Sequence, residues 1–160
     1  MTTLIVIRGN SGSGKTTLAH LLHNQLTESL LLSQDVIRRD MLQVDDKPGN
    51  LAISLMTEIL KFGQQQEKFV ILEGILGASV YGQMLSDQLQ LFDKTIVIYY
   101  QLTLAETIRR HHMKSTTNFT TKDLQKWYQK DDRLALSGEL IFDESVSLEM
   151  AEQQILAKIK

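Results

Sequence analysis

The stretch that decides the fold reads Gly9-Asn10-Ser11-Gly12-Ser13-Gly14-Lys15-Thr16. It matches the pattern G-x-x-x-x-G-K-[ST] without a gap and follows the apolar run 4–7. Glycines let such a loop turn several backbone N–H groups inward around a phosphate, and the N-terminus of the next helix favours an anion. A glycine-rich turn that matches by chance is the alternative. The position between an apolar run and a helical pattern favours a phosphate-binding loop over residues 9–17, with Thr17 as its last contact.

Two of the last residues of this loop, Lys15 and Thr16, have different expected roles. Lys15 is predicted to reach the β- and γ-phosphates of a bound nucleotide, and the Thr16 hydroxyl is predicted to be a ligand of Mg²⁺. We expect Lys15 to face solvent at the site and to take no part in the core.

Five short apolar runs predict a sheet, and none of them alternates with polar residues. Strands that are buried on both faces have this pattern, and enough chain separates the runs for helical crossovers. The sequence therefore predicts an α/β fold in three layers, with a parallel five-stranded sheet between helices. Together with the loop motif of residues 9–17, this arrangement resembles a P-loop NTPase fold. The runs are 4–7, 30–32, 69–72, 96–100 and 140–142.

Helical spacing of apolar residues predicts the layers that cover the sheet. Thr103 and Glu106 are predicted to form a capping box, and Ser147 to be the N-cap of the last helix. The predicted helices are 15–27, 51–66, 80–91, 104–113 and 148–159.

Composition limits the classes of protein that are possible. A chain of 160 residues with 42% hydrophobic and 22% charged residues fits one globular domain over residues 1–160. The absence of cysteine excludes disulfides, thiolate metal sites and cysteine nucleophiles. A formal net charge of −2 gives no general attraction to nucleic acid or membranes, and no apolar run approaches the length of a membrane span. We expect a cytoplasmic protein.

The loop and residues 30–39 (LLLSQDVIRR) together resemble the P-loop kinases, and the spacing of Asp35 and Arg38 is most similar to the polynucleotide-kinase and zeta-toxin-like branch. The resemblance implies ATP and Mg²⁺ as cofactors. It also implies that Asp35 is a general base and that Arg38 contacts a phosphate or the acceptor.

Physical chemistry supports the assignment of Asp35 independently. An alcohol is a poor nucleophile, so a carboxylate that accepts its proton promotes phosphoryl transfer, whereas a phosphate acceptor needs no such base. The end of a parallel strand is also where open α/β sheets bind ligands. The alternative is that Asp35 caps the helix that starts near Val36; the two roles are compatible.

Glu73 follows the third apolar run and stands where the related proteins usually have an aspartate. It is a candidate for holding a magnesium-bound water or for contacting the substrate. A helix-cap or loop role is the alternative.

Residues 109–133 carry a net charge of +4, whereas the rest of the chain carries −6. Cations gather where a lid closes over phosphates, and the resemblance implies lid arginines after the fourth strand, where Arg109 and Arg110 lie. Adjacent helical positions point in different directions, so we expect only one of the two arginines to face the site. The polar run 115–118 is predicted to be a mobile connection. A solvated basic helix is the alternative.

The sequence thus predicts a kinase that transfers the γ-phosphoryl group of ATP to a hydroxyl of a small molecule, nucleoside or nucleotide. Two alternatives stay open, a nucleic-acid-end kinase and an ATP-binding regulatory module without kinase activity. The acidic net charge argues against long nucleic-acid contacts.

Overall fold

A computed structural model describes residues 1–114 and 117–160. Its five strands form one parallel sheet in the order β2-β3-β1-β4-β5, which confirms the predicted fold class. The strands are β1 Thr3–Gly9, β2 Ser29–Ser33, β3 Phe69–Gly74, β4 Lys94–Tyr100 and β5 Leu140–Phe142.

Six α-helices and one π-helical turn, Val36–Met41, lie in the described chain. The five predicted helices are confirmed to within about two residues at each end. The helix expected to start near Val36 is the π-helical turn, and α5 was not predicted. The helices are α1 Lys15–Gln25, α2 Leu51–Gln66, α3 Ala78–Leu89, α4 Leu104–His112, α5 Thr121–Trp127 and α6 Leu148–Ile159.

The helices cover both faces of the sheet because successive residues of β1 point to opposite sides. Leu4 and Val6 pack with α2 and α3, whereas Ile5 and Ile7 pack with α1 and α6. All four side chains are fully buried. This two-sided burial explains why the strand sequences do not alternate with polar residues.

Strand β1 places the phosphate-binding loop at the centre of one sheet edge. Its neighbours in the sheet are β3 and β4. After β1 the chain continues to β2 on the side of β3, whereas after β3 it crosses to β4 on the opposite side of β1. Ligands of parallel α/β sheets bind at such a switch point, beyond the carboxyl ends of the strands.

One predicted helix cap differs from the structure. The Thr103 hydroxyl accepts a hydrogen bond from the Glu106 N–H at 3.2 Å, so Thr103 is the N-cap of α4. The capping box is wrong, because the Thr103 N–H donates to Glu144 and the Glu106 carboxylate binds two arginines instead. Ser147 caps α6 as predicted.

No helix within residues 1–114 and 117–160 has the length and apolar character that a membrane span needs.

Candidate active site

The phosphate-binding loop joins β1 to α1 and packs against α4. Gly12 and Gly14 have φ values of 81° and 98°, in the region that side chains rarely adopt. A Cβ atom on Gly12 would lie 2.9 Å from the carbonyl oxygen of Thr107. The glycines therefore allow both the turn of the loop and its close contact with the helix that carries Arg109 and Arg110.

Lys15 is buried at the start of α1, with 7% of its surface exposed, so the expectation that it faces solvent is wrong. Its Nζ donates to the carbonyl oxygen of Asn10 at 2.7 Å and to Oγ of Ser13 at 3.3 Å. Burial lowers the pKa of Lys15 to about 8, although Glu73 and Asp35 oppose this shift. The ammonium group is therefore charged at neutral pH and held inside the loop.

Glu73 lies near the end of β3, beside the first turn of α1. The hydroxyl of Thr16 donates to its Oε2 at 3.2 Å, and the glutamate is 4% exposed. The helix-cap alternative is wrong because Glu73 lies within β3 and the N-cap of α3 is Gly77. Two neighbouring oxygen ligands fit Mg²⁺, which binds through one or two carboxylates together with the phosphates of a substrate.

A cavity of about 110 Å³ brings four of the predicted site residues together. Lys15, Thr16, Glu73 and Asp35 all line it. The remaining lining residues are Ser11, Gly12, Gly14, Thr17, Gly74, Ile75, Lys114 and Phe119.

Asp35 stands between β2 and the π-helical turn with its carboxylate 55% exposed. The cap alternative finds no support, because its backbone is already helical at φ −65° and ψ −38° and its side chain makes no cap hydrogen bond. Oδ1 lies 3.6 Å from Nη2 of Arg38 and 3.5 Å from Nε of Arg39. The carboxylate is thus accessible from the cavity and flanked by two guanidinium groups.

A larger pocket of about 650 Å³ lies next to this cavity, and Ile75 lines both. Arg38 belongs to the wall of this pocket. Other residues of its wall are Gly9, Asn10, Arg39, Asp46, Gly77, Ser79, Val80, Tyr99, Lys126, Trp127, Gln129 and Asp132. A volume of this size suits a small molecule.

The structure distinguishes the two adjacent arginines of α4. Arg110 donates from Nη1 to the carbonyl oxygen of Ser13 in the phosphate-binding loop at 2.8 Å. Arg109 is 60% exposed and binds Glu106 and Met113 on its own helix. Both arginines pair with Glu106 and hold the pKa of its carboxyl at about 2. Only Arg110 reaches the site.

A buried arginine that we did not predict ties the loop strand to the distant end of the basic segment. Arg8 on β1 donates to Leu76 O at 3.0 and 3.1 Å, to Asp132 O at 2.8 Å and to Asp132 Oδ2 at 2.7 Å. Its guanidinium also lies over the ring of Tyr99, 5.6 Å from the centroid. An arginine inside an apolar strand, directly before Gly9, was the available signal in the sequence.

Asn10 holds the same segment from within the loop. Its side-chain amide donates to Gln129 O at 2.7 Å and accepts from Gln129 N at 2.8 Å. Residues 129–132, at the far end of the basic segment 109–133, are therefore bound to the sheet edge.

Aromatic residues connect this segment to the larger pocket. Phe119 stacks on His111 at 5.2 Å and meets Trp127 edge to face at 5.6 Å. Trp127 in turn lies 5.5 Å beneath the guanidinium of Arg39. Ser115 and Thr116 of the predicted connection lie outside the described residues.

These features define a nucleoside triphosphate-binding protein with the fold of the P-loop kinases. The family model described as "AAA domain" matches residues 4–129, and the chain belongs to this family. No curated protein matches the chain.

Three solved structures illustrate the likeness of the fold. A gluconokinase from Sinorhizobium meliloti 1021 aligns with a TM-score of 0.71 and 14% identity over 97% of this chain and 90% of that chain. A tunicamycin resistance protein from Deinococcus radiodurans has a TM-score of 0.68 and 16% identity, over 99% and 96%. The APS kinase CysC from Mycobacterium tuberculosis, solved with AMPPNP and APS, has a TM-score of 0.64 and 16% identity, over 99% and 97%.

Proposed function

We propose that the protein is an ATP- and Mg²⁺-dependent kinase that transfers the γ-phosphoryl group to a hydroxyl of a small molecule. The observation that carries the proposal is that Asp35 lines the same cavity as Lys15, Thr16 and Glu73. A carboxylate that is exposed at that position is available to accept a proton, which only an alcohol acceptor requires.

In the proposed reaction the acceptor hydroxyl gives its proton to the Asp35 carboxylate while its oxygen bonds to the γ-phosphorus. The bond from the γ-phosphorus to the bridging oxygen breaks, and ADP leaves with that electron pair. Lys15 and the loop N–H groups bind the charge on the phosphate oxygens, and Arg110 adds a second cation from α4. Thr16 and Glu73 would hold Mg²⁺, which neutralises phosphate charge when it is bound.

The acceptor side supports a small molecule over a nucleic-acid end. The larger pocket has about 650 Å³, within the range of small-molecule sites, and it shares the lining residue Ile75 with the cavity that Asp35 lines. The gluconokinase and APS kinase with this fold support phosphoryl transfer as its chemistry. Such a pocket next to a general base also favours an enzyme over a regulatory ATP-binding module.

Residues 109–133 are proposed to act as the lid of this kinase. Arg110 already touches the loop, whereas Lys114 and Phe119 line the small cavity. Closure over ATP would add cations around the transferring group and exclude water from it. One domain over residues 1–160 and a cytoplasmic location stay predictions.

The experiment compares Lys15→Ala with Lys61→Ala, a control on the exposed side of α2 where Lys61 pairs only with Glu58. Both variants are tested with radiolabelled ATP against a panel of sugars, polyols, hydroxy acids, nucleosides, nucleotides and oligonucleotides. We expect Lys15→Ala to lose transfer, on the order of 10³-fold or more, with an unchanged circular dichroism spectrum. Equal transfer by Lys15→Ala and wild type, or no transfer to any panel member by wild type, contradicts the kinase.

A further inference from the structure

We infer that Gln34 is a positioning residue, which holds the backbone of Leu76 in a left-handed conformation and thereby places Ile75 between the small cavity and the larger pocket. Arg8 binds the same backbone from the other side, and these two side chains are called the clamp of Leu76. The inference rests on the proposed kinase function, because the acceptor hydroxyl would meet the γ-phosphate where the two cavities adjoin. It adds residues that act through the backbone and do not touch the substrate.

Leu76 has an unusual backbone conformation for a buried leucine. Its φ is 46° and the residue is fully buried. Residues with a side chain rarely adopt this region, because the Cβ atom comes too close to the following carbonyl oxygen. Three other non-glycine residues within 1–114 and 117–160 have such a positive φ, and all of them, Glu28, Gln43 and Ala135, are exposed. A strained residue in the core keeps its conformation only where its surroundings hold it.

The clamp binds both polar groups of the Leu76 backbone. The Leu76 N–H donates to Oε1 of Gln34 at 2.8 Å. Its carbonyl oxygen accepts from Nε and Nη2 of Arg8 at 3.1 and 3.0 Å. Gln34 is 2% exposed and Arg8 is fully buried, so water does not compete for these hydrogen bonds. Side chains from β1 and from the end of β2 therefore hold the turn that follows β3.

Gly74, the last residue of β3, leaves the space that Gln34 occupies. A Cβ atom at Gly74 would lie 2.6 Å from the Cβ atom of Gln34, which is closer than two such atoms can approach. Any larger residue at this position would push the glutamine away from Leu76. The glycine is thus required by the close contact of Gln34 with the end of β3.

The clamp also lies next to the active site along the chain. Arg8 directly precedes the phosphate-binding loop, and Gln34 directly precedes Asp35. The N–H that Gln34 binds belongs to the peptide that joins Ile75 to Leu76. Ile75 lines both the small cavity and the larger pocket. If this peptide rotates, Ile75 moves relative to Asp35 and to the loop.

Release of the clamp should therefore affect transfer more than it affects nucleotide binding. Neither Gln34 nor Leu76 lines the small cavity or the larger pocket, so a substitution of Gln34 removes no contact with a ligand. It instead changes the wall at Ile75, where the acceptor and the nucleotide must be aligned. Small displacements of reacting groups cost a large part of the rate.

The first measurement tests the clamp itself and needs no acceptor. Gln34→Met removes the oxygen that accepts from the Leu76 N–H at a similar side-chain length, whereas Gln34→Glu keeps an oxygen there. Hydrogen exchange of the Leu76 amide should be about 10-fold or more faster in Gln34→Met and close to wild type in Gln34→Glu. Amides of β1 should not change, which separates a local release from a general loss of stability.

The matched control for this measurement is Gln88→Met. Gln88 is a glutamine of α3 that is 4% exposed and lines neither cavity. The same substitution there should leave the exchange of the Leu76 amide unchanged. Arg8→Lys keeps the charge but cannot make both contacts with Leu76 O, and it serves if Gln34→Met fails to fold.

The second measurement follows Ile75 by NMR, with ¹³C-labelled isoleucine methyl groups. Its signal should differ between Gln34→Met and wild type in the free proteins. In wild type it should shift when Mg²⁺ and a non-hydrolysable ATP analogue are added, because Ile75 lines the small cavity. The Kd of the analogue should stay within about twofold of wild type in Gln34→Met.

The third measurement is transfer to the acceptor found in the panel. The kcat of Gln34→Met should be lower by roughly 10- to 100-fold, and Gln34→Glu should recover most of it. Gln88→Met should keep the kcat of wild type. A loss of kcat with nucleotide affinity retained is the result that a purely structural role of Gln34 would not give.

The possible results separate this inference from the kinase proposal. An unchanged Leu76 exchange rate or an unchanged Ile75 signal in Gln34→Met overturns the clamp, whether or not the protein is a kinase. Fast exchange with the kcat of wild type overturns the positioning role while the kinase stands, and so does an equal fall of kcat in Gln34→Met and Gln88→Met. A displaced Ile75 in Gln34→Met, without transfer by wild type to any acceptor, supports the clamp and contradicts the kinase.

Discussion

The phosphate-binding loop and the larger pocket lie at the same sheet edge but are built differently. In the loop, Lys15 is held by Asn10 and Ser13, which are five and two residues away along the chain. In the pocket, Asn10 binds Gln129 and Arg8 binds Asp132, across 119 and 124 residues. The lysine of the loop is therefore held by local contacts, whereas the larger pocket depends on how distant segments return to the sheet.

This difference implies a division of effects between the two regions. A substitution of Lys15 or Thr16 should affect every phosphoryl acceptor alike, because both residues line the small cavity and neither lines the larger pocket. A substitution in the pocket wall should change which acceptor binds while leaving nucleotide affinity intact. Asp35 stands between the two, since it lines the loop cavity and contacts two arginines of the pocket wall.

The largest effect that separates the two regions is expected at Asp35, where they meet. Asp35→Asn should lower kcat by on the order of 10²- to 10⁴-fold, the usual contribution of a general base, with nucleotide affinity nearly unchanged. Asp40→Asn is the matched control, an exposed aspartate of the same π-helical turn that lines neither cavity. Steady-state kinetics with a saturating acceptor checks this. An unchanged kcat with a raised KM for the acceptor would assign Asp35 to binding.

The next effect tests whether the contact of α4 with the loop matters for transfer. Arg110 makes this contact, whereas Arg109 faces solvent. Arg110→Gln removes the contact with Ser13 O and one cation near the phosphates, so kcat should fall by roughly 10- to 100-fold. Arg109→Gln removes an exposed guanidinium that binds only its own helix, and kcat should stay within about twofold. Steady-state kinetics on the two variants measures both values of kcat. Equal losses would show that the lid uses both arginines, or that Glu106 transmits the change.

The phosphate-binding loop is contiguous in the sequence. Residues 9–17 carry the pattern, the glycines and the lysine in one stretch, so the loop could be predicted without any tertiary contact. The five strands could be predicted because burial on both faces leaves uninterrupted apolar runs.

The rest depends on contacts between distant parts of the chain. Arg109 and Arg110 are adjacent, and only the packing of α4 on Gly12 decides which of them reaches the loop. The burial of Lys15 could not be predicted either, because it depends on how tightly the loop folds around its own ammonium group. The roles of Asp132 and Trp127 follow from the return of residues 129–132 to β1, which no local pattern encodes.

A smaller effect concerns the motion of the basic segment. In α5 only Leu124 is buried, so amides of residues 117–127 should exchange quickly in the free protein. The amides of Gln129 and Asp132 should already exchange slowly, because their N–H groups donate to Asn10 Oδ1 and to the Tyr99 hydroxyl. Hydrogen exchange with and without an ATP analogue and Mg²⁺ should show slowing in 117–127 but not in 129–132, besides the slowing expected in the phosphate-binding loop itself. Slow exchange there in the free protein, with no response to nucleotide, contradicts a closing lid.

The smallest effect follows from the buried ammonium group of the loop. Burial lowers the pKa of Lys15 to about 8, so at pH 8 about half of the free protein carries this proton. Bound phosphates favour the charged form and raise that pKa again. Nucleotide binding at pH 8 should therefore take up about half a proton per site, and nucleotide affinity should fall as the pH rises through 8.

Isothermal titration calorimetry in buffers of different ionisation enthalpy measures this uptake, with Lys15→Met as the variant that cannot show it. The sign of the stability effect provides a second measurement if the variant fails to bind. Because the folded pKa lies below the unfolded value, the unfolded chain binds more protons between about pH 8 and pH 10.5. The free energy of unfolding of wild type should rise relative to Lys15→Met over that interval. A flat difference between the two proteins, together with no proton uptake at pH 8, would mean that Lys15 keeps its ordinary pKa and is not desolvated within the loop.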